Sequence, residues 1–298
     1  MESNAVGSDA PDAAAALLEA LLRTRIDSAG AAWLDKALAA VAGPAAVETV
    51  LGFYAGAGRR VGKQALALDA AEQARGRAVD GALELSRWGR DEAARALLLL
   101  RLPRSPADEF GKRVLACYEK GDSREQESWL RGLAVLPQPG RFLATAVDSC
   151  RTNIIPMFEA ICCENPYPAR HFPELNFNQM VLKALFNNIA LERIVGLAGR
   201  QNAELSRMAN DYATEREAAG RPVPADIWAV IVPHAPPGSM ARILRYLAHD
   251  DPAHRYWAAV GLGTSVDAQA RARLQERREQ ETDARVRGAI ESSLAARG

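Results

Sequence analysis

The chain has 298 residues, enough for one large or two ordinary domains, and 48% of them are hydrophobic while 25% are charged. This composition is typical of a soluble globular protein. Lys and Arg number 37, as do Asp and Glu, and this balance argues against a protein that binds nucleic acid mainly through a basic surface.

The N-terminal part predicts a tail followed by helices. Residues 1–12 are predicted to be a disordered tail, and their acidic residues do not fit the positively charged start of a signal peptide. Residues 13–150 predict a helical region, because apolar residues recur there at helical spacing. The stretch Ala93–Leu100 is apolar but is broken by Arg95 and is far shorter than the roughly 18 residues of a membrane span.

The segment 56–63, Gly-Ala-Gly-Arg-Arg-Val-Gly-Lys, superficially resembles a phosphate-binding loop. Such a loop needs a glycine five residues before its Gly-Lys pair and Ser or Thr after the lysine. This chain has Ala57 and Gln64 at those positions. We therefore interpret the segment as a flexible loop between helices.

Residues 151–194 differ from the Ala- and Leu-rich background because Asn, Pro, His, Phe and Cys are concentrated there. Four of the sixteen prolines of the chain lie in this region: Pro156, Pro166, Pro168 and Pro173. Because proline fixes φ and restricts the residue before it, the linker 164–174 is predicted to be stiff and non-helical. A linker of this kind could present Asn165, His171 and Glu174 at fixed positions.

Three interpretations of the linker remain open. His171 and Glu174 could act as a base and its orienting partner, or as metal ligands together with Glu164. A metal site usually needs three protein ligands, however, and no complete catalytic motif is present, so we predict no metal and no cofactor. The linker could instead be a rigid connector whose polar groups satisfy buried backbone, or a surface that binds a ligand or partner.

The helix predicted from about Asn176 has two faces. Its core stripe is formed by Phe177, Val181, Ala184 and Leu185. Asn176, Lys183 and Asn187 align on another face with Gln179 close by, which favours a hydrogen-bonding surface for polar or anionic groups. Solvation of an ordinary exposed face explains the same pattern equally well.

A further helix is predicted from a cap at Asn202 to a stop at Gly220. Glu204, Arg207 and Asp211 have the spacing of residues that share its outer face.

The C-terminal part contains a weak repeat, because the segment from Asp250 to Gly261 is echoed by the segment from Glu281 to Ser293. Each has an acidic cap, an arginine early in the helix and small residues inside, as in HEAT-type units that stack into a solenoid. The predicted fold class is therefore all-α, a multi-helix array with HEAT-like or α-solenoid character in its C-terminal half. Residues 151–298 form the second region, either continuous with 13–150 or separate from it.

The run NPYPARHFPELNFNQMVLKALF at residues 165–186 resembles the EboA family, and the resemblance is dense from about residue 150 to 228. Genes of this family lie in a bacterial cluster first tied to cyanobacterial pigment export. Their neighbours encode a prenyltransferase, a sugar-phosphate-cyclase-like enzyme and metal-dependent hydrolase-like proteins. The resemblance implies a role in the biosynthesis or traffic of a secondary-metabolite precursor destined for the periplasm. The resemblance does not identify any catalytic residue in this chain.

The leading hypothesis is a cytoplasmic accessory or scaffold protein of an Ebo-type pathway. It would bind another pathway protein, or a polar or anionic metabolite, through the surface of residues 151–216. The four cysteines lack a CxxC spacing, which fits reduced thiols in a cytoplasm, and neither a nucleic-acid partner nor an integral membrane segment is predicted. The candidates for binding a ligand or partner are Asn165, His171, Glu174, Asn176, Asn178, Gln179, Lys183, Arg207 and Asp211.

Two other hypotheses remain. The chain could be an enzyme of the same pathway, although it lacks a complete catalytic motif. The cleft of that enzyme would be lined by His171, Glu174, Asn178, Lys183 and Arg207. It could also be a solenoid that binds peptides on the concave face of its C-terminal part.

Overall fold

The computed structural model describes residues 10–265 and 267–296, and this part of the chain is built from α-helices. The β-contact found there is an isolated bridge between Ala65 and Gly89. The predicted all-α fold class is therefore confirmed. The chain divides into two compact units, with Pro173 as the last residue of unit 1 and Glu174 as the first residue of unit 2.

Unit 1 contains ten α-helices within residues 10–173, and a 3₁₀ turn at Pro139–Phe142 precedes the eighth. They are α1 (Ala10–Arg23), α2 (Ser28–Val41), α3 (Val47–Arg60), α4 (Ala70–Val79), α5 (Arg90–Leu100), α6 (Ala107–Glu119), α7 (Ser123–Gly132), α8 (Leu143–Ser149), α9 (Ile155–Cys162) and α10 (Tyr167–His171).

Helix α5 is the centre of unit 1, and α1, α3 and α7 pack around it. Every residue from Asp91 to Leu100 is buried, including Arg95, which breaks the apolar run in the sequence. Arg95 donates a hydrogen bond to the Tyr54 carbonyl at 3.0 Å and pairs with Asp91 at 2.9 Å. Asp91 also accepts two hydrogen bonds from Arg124. The buried charges of α5 are thus paired, as burial of ionised groups requires.

The structure differs from the sequence prediction in α1 and in α3. Helix α1 begins at Ala10, so Ala10–Asp12 of the predicted tail are helical, while residues 1–9 of that tail lie outside the described residues. The segment 56–63 was predicted to be a loop, and this prediction is wrong for Gly56–Arg60, which belong to α3, whereas residues 61–63 follow the helix. Gly56 is buried, and a Cβ atom there would lie 3.7 Å from the Trp33 ring. Packing of α3 against α2 therefore outweighs the weak helix propensity of glycine.

The boundary between the two compact units lies after Pro173. Helix α9 packs against α7 and α8, and α10 packs against α9. These contacts attach the proline-rich linker to the helices that precede it in the chain.

Unit 2 contains eight α-helices in its described residues, and 3₁₀ turns lie at Leu191–Arg193, Ala225–Ile227 and Val232–His234. They are α11 (Glu174–Phe186), α12 (Leu197–Arg200), α13 (Ala203–Ala218), α14 (Trp228–Ile231), α15 (Met240–Leu247), α16 (Pro252–Leu262), α17 (Ala268–Gln280) and α18 (Ala284–Ala295).

The predicted core stripe of α11 and the predicted ends of α13 are confirmed. The four apolar residues of the α11 core stripe are all fully buried. The Asn202 side chain accepts a hydrogen bond from the Leu205 amide at 2.8 Å, which caps the start of α13. Gly220 follows the end of α13 with φ +65°, a left-handed conformation that glycine adopts without strain.

Helix α16 packs closely against α14. A Cβ atom at Gly261 would lie only 2.6 Å from the Trp228 carbonyl oxygen and 2.8 Å from Val232. The absence of a side chain at Gly261 is therefore what lets the two helices approach so closely.

The two copies of the C-terminal repeat share their local geometry. Asp251 caps α16 and Asp283 caps α18, as the sequence predicted. Each early arginine also reaches back to a carbonyl six residues before it: Arg255 to His249 at 2.9 Å and Arg287 to Glu281 at 2.5 Å. Helices α16 and α18 pack together, and each also packs against α17. The HEAT-like solenoid itself stays a prediction.

Candidate functional site

The proline-rich linker of unit 1 is anchored by Asn165. This residue is 2% exposed, and its amide donates hydrogen bonds to the carbonyls of Leu130 at 2.9 Å and Ala160 at 3.0 Å. Its Oδ1 atom accepts a hydrogen bond from the Tyr167 amide at 3.0 Å. The Asn165 side chain therefore joins the linker to α7 and α9.

The linker was predicted to be non-helical, and this prediction is wrong for Tyr167–His171, which form α10. Pro168 lies in the first turn of α10, where a proline is tolerated because the backbone N–H groups there have no intrahelical acceptor. The Tyr167 hydroxyl donates a hydrogen bond to the Pro139 carbonyl at 2.7 Å. Its ring lies 4.7 Å from the His171 ring, so one side chain fixes the position of α10 and supports the imidazole.

His171 lies in the wall of a pocket of about 210 Å³ that is contained within unit 1. Most of the wall is apolar, and its longest stretch is the segment Leu133–Pro139 after α7. The other parts come from the start of α1, the end of α4, the residue Arg104 and the end of α10. The lining residues are Ala10, Pro11, Ala14, Val79, Asp80, Arg104, Leu133, Ala134, Val135, Leu136, Pro137, Gln138, Pro139, Arg170 and His171.

The two arginines of the pocket are each paired with a carboxylate. Arg170 donates two hydrogen bonds to Asp80, at 2.5 and 2.6 Å, and this bidentate contact holds the pKa of the Asp80 carboxyl below its usual value. Arg104 donates to Asp12 at 2.6 Å. The guanidinium charges at the pocket are therefore largely neutralised by the protein itself.

The surroundings of His171 favour the neutral form of its imidazole. Burial, and after it the neighbouring Arg170 guanidinium, lowers the pKa of His171 below its ordinary value of 6.5. Among the described residues, His171 makes the ring contact with Tyr167 but no hydrogen bond. Its ring nitrogens can therefore donate to and accept from a bound molecule.

Gln138 contributes a second polar group to the pocket wall. Its Oε1 atom is buried and has no hydrogen-bond partner in the described part of the chain. The backbone of Gln138 is left-handed, with φ +55° and ψ +48°, a conformation that is uncommon for a residue other than glycine.

In unit 2, Asn178 is fully buried and forms a reciprocal amide pair with Asn202, at 3.1 and 3.0 Å. Since Asn202 caps α13, this pair connects α11 to the start of α13. The neighbouring candidates differ in exposure: Glu174 and Gln179 are exposed, whereas Asn176 and Lys183 are half-buried.

Arg207 and Asp211 lie on the exposed face of α13, as their spacing predicted. Arg207 donates hydrogen bonds to Asp211 at 2.6 Å and to Glu204 at 2.6 and 2.9 Å. All three side chains are about half exposed, so these pairs contribute little to stability.

Residues 14–232 match the family model described as "Metabolite traffic protein EboA". The chain belongs to the EboA family. Comparisons with curated proteins and with solved structures found no match. The range matched to EboA includes Ala14 and every later residue of the pocket wall, whereas α15 to α18 lie beyond its end.

Sequence reasoning found one residue of the pocket in this EboA-family chain, His171, and missed the others. Asp80, Arg104 and Gln138 belong to no recognisable sequence motif. A glutamine between two prolines is the one local signal that could have drawn attention to residues 137–139.

Two further observations concern metals and membranes. Among residues 10–265 and 267–296, no three His, Cys, Asp or Glu side chains are grouped so that they could hold a metal ion. No helix in the same ranges is both long and apolar enough to cross a membrane.

Proposed function

We propose that this protein is an accessory protein of an Ebo-type pathway and holds a small metabolite in the pocket of unit 1. The observation that carries the proposal is the pocket itself, with a mainly apolar wall and a few polar groups from His171, Arg170 and Gln138. This combination is typical of small-molecule sites, where apolar area provides affinity and a few polar groups fix orientation. Membership of a family described by metabolite traffic supports it.

The surroundings of His171 favour binding over catalysis. A histidine that acts as a general base normally has a partner that fixes its tautomer and orientation. In the described residues of unit 1, the contact of His171 is the Tyr167 ring, which supplies no such hydrogen bond. The enzyme hypothesis, with a site around His171, Glu174 and Lys183, therefore stands second.

The proposal also covers the destination of the metabolite and the protein partners. The resemblance to the family suggests that the metabolite is a precursor handled in the cytoplasm and delivered toward the periplasm. The partners would be other proteins of the Ebo-type pathway. Exposed candidates such as Gln179, Arg207 and Asp211 are available for such contacts, and α15 to α18 would add a HEAT-like array.

The test fills the pocket without changing the surface elsewhere. Ala134 lines the pocket and is half-buried, so Ala134→Phe should occupy the space where a ligand would lie. Ala39→Phe, at an exposed position of α2, is the matched control. Each variant replaces the native protein in a bacterium that makes the pathway product, and mass spectrometry measures the product while pull-downs measure the bound pathway proteins.

We expect Ala134→Phe to lose most of the product and keep its protein partners, while Ala39→Phe retains both. Unchanged product in a folded Ala134→Phe variant would refute the proposal. Lost partners in Ala134→Phe alone would favour a scaffold that docks on this face. If His171→Ala loses the product although it still binds the metabolite, the enzyme hypothesis gains.

A further inference from the structure

A second pocket, of about 250 Å³, lies in unit 2 at the C-terminal end of α11. Its wall is formed by Leu185 and residues 188–190 on one side and by residues 224–226 on the other. None of these residues lines the pocket of unit 1, so a site here is independent of the proposed function. All of them lie within the range matched to EboA.

The end of α11 has the geometry of a Schellman motif, and the negative end of the helix therefore lies at the pocket. The Ile189 amide donates to the Ala184 carbonyl at 2.9 Å, and the Asn188 amide donates to the Leu185 carbonyl at 3.1 Å. Asn188 is left-handed, with φ +55°, a conformation that asparagine tolerates better than most residues. The carbonyl end of a helix carries a partial negative charge, which favours a cation.

Asp226 is the ionisable residue of the pocket wall. Its Oδ2 atom accepts a hydrogen bond from the Leu191 amide at 2.8 Å. Its Oδ1 atom accepts no hydrogen bond from another described residue and is not among the fully enclosed polar atoms that lack a partner. A molecule in the pocket can therefore reach Oδ1.

The Asp226 carboxylate has no cationic partner in the described part of the chain, although it is half-buried. Burial, and to a smaller extent the nearby Glu192, raises the pKa of Asp226. The fully buried carboxylates of the described residues differ from it, because Asp91, Glu92 and Glu281 each pair with an arginine at 2.9, 3.0 and 2.8 Å. A partly buried carboxylate without such a pair favours the binding of a cation from outside.

The wall offers acceptors and few donors. The amides of Asn188 and Ile189 are used within the α11 motif, the Leu191 amide is used by Asp226, and Pro224 has no N–H group. An anion would find few donors and would face the Asp226 carboxylate. A metal ion usually needs three protein ligands, and no such group of side chains occurs among the described residues.

We infer that the pocket of unit 2 binds a primary ammonium group, with Asp226 as its ion-pair partner. An ammonium has three donors, so it can reach Asp226 Oδ1 and the side-chain oxygen of Asn188 together. A guanidinium fits less well, because its bidentate contact needs two free carboxylate oxygens and Oδ2 is already used.

The size of the pocket leaves room for a short apolar body behind the ammonium. An apolar cavity of about 150 Å³ holds benzene, whereas this pocket measures about 250 Å³. Leu185, Ile189 and Pro224 supply apolar surface for such a body. A small amine offers this chemistry, and so does the side chain of a lysine on a partner protein.

NMR titration of the full-length protein tests the inference with probes of similar shape. They are 3-methylbutylamine, 3-methylbutanol and 3-methylbutanoate, which differ chiefly in the group at one end. We expect the amine to bind about tenfold more tightly than the alcohol, because a charge-assisted hydrogen bond is stronger than a neutral one. The carboxylate should bind more weakly than the alcohol.

Asp226→Asn removes the charge and keeps an oxygen that can accept from the Leu191 amide. This variant should bind the amine and the alcohol with equal affinity. Asp250→Asn, at an exposed position of unit 2, removes the same charge elsewhere and should keep the wild-type preference. Ala190→Phe fills the pocket without changing Asp226 and should weaken the binding of both probes.

Two further probes identify the source of the ammonium. Tighter binding of Nα-acetyl-lysine methylamide than of 3-methylbutylamine would support a lysine side chain of a partner, and the reverse order would support a small amine. The same lysine compound acetylated at Nζ has no charge and should bind more weakly than its parent.

The inference would be overturned if the wild type failed to bind either amine, or bound the amine and the alcohol equally. Tighter binding of 3-methylbutanoate, or no loss of affinity on Nζ-acetylation, would also overturn it. Amine binding that survives both Asp226→Asn and Ala190→Phe would show that the amine binds elsewhere, with the same consequence. The product formed by Ala134→Phe in cells tests the pocket of unit 1 and does not bear on these outcomes.

Discussion

The side chain of Glu281 accepts hydrogen bonds from α16, from α17 and from the backbone just before α18. It is 1% exposed, and Arg255 donates to both of its oxygens at 2.8 and 2.9 Å. Arg277 donates at 2.9 Å, and the amides of Thr282 and Asp283 donate at 3.0 and 2.9 Å. These hydrogen bonds, led by the one from Arg255, lower the pKa of Glu281 to about 2. The carboxylate is therefore ionised in the folded protein at any physiological pH.

We expect Glu281→Gln to destabilise unit 2 by about 3–5 kcal/mol, because removing one partner leaves a buried arginine uncompensated. Since whole domains are stable by roughly 5–15 kcal/mol, this loss is large. Hydrogen exchange of α16 and α18 measures it locally, and urea denaturation measures it globally. The control is Glu276→Gln on α17, whose pair with Arg273 is more than half exposed and should contribute less than about 1 kcal/mol.

The pH dependence of stability gives a second measure of how much the Glu281 carboxylate stabilises the fold. The folded-state pKa of about 2 lies below the ordinary 4.5, so the stabilisation is complete above about pH 4.5 and is lost as pH falls toward 2. At 1.36 kcal/mol per pKa unit, the loss approaches about 3 kcal/mol. Glu281→Gln should lack this part of the acid sensitivity. Equal losses of stability in Glu281→Gln and Glu276→Gln, or equal acid sensitivity in variant and wild type, would refute the reasoning.

Three more outcomes are expected. Gly261→Ala should lower the free energy of unfolding, measured by urea denaturation, by about 1–3 kcal/mol because the added methyl group meets the backbone of α14. Gly288→Ala is the control: its Cβ would lie in open space, so this change should raise the free energy of unfolding by up to about 1 kcal/mol. Arg170→Gln should raise the pKa of His171 in an NMR titration, and an unchanged pKa would contradict the electrostatic assignment. In the native protein, Cys150 should react with a maleimide before the three buried cysteines, which should react only after unfolding; fast labelling of all four would contradict their burial.

The helices could be predicted from sequence wherever the signal is local. Asn202, Asp251 and Asp283 each cap the helix that follows them, and a cap depends on residues only two or three positions apart. The apolar spacing of α11 likewise identifies its buried face. Such features do not depend on the rest of the fold.

Two local signals suggested a structure that the chain does not adopt. The glycines of 56–63 suggested a loop, but Gly56 lies against Trp33 and the helix continues to Arg60. The prolines of the linker suggested extended chain, but Pro168 occupies the first turn of α10, where its ring is tolerated. The glycine signal was outweighed by packing, whereas the proline signal depended on the position of the residue in the helix.

The pocket could not be predicted from spacing, because its wall joins segments that are far apart in the chain. Asp80 and Arg170 are 90 residues apart, and their ion pair forms only when α4 and α10 meet. The left-handed conformation of Gln138 is also invisible in the sequence, since glutamine has no intrinsic preference for it. Only His171, in an unusual linker, gave a signal of its own.

The side-chain amides of Asn165 in the linker and Gln138 at the pocket differ in their hydrogen bonds. The amide nitrogen of Asn165 donates to backbone carbonyls, and its amide oxygen accepts from a backbone N–H group. These hydrogen bonds explain why an asparagine is buried at this position, and no ligand is needed to satisfy it. Gln138 has the same amide group, yet one of its ends has no partner in the described residues. The unusual composition of the linker therefore does not by itself indicate a ligand contact, because the fold alone explains its buried asparagine.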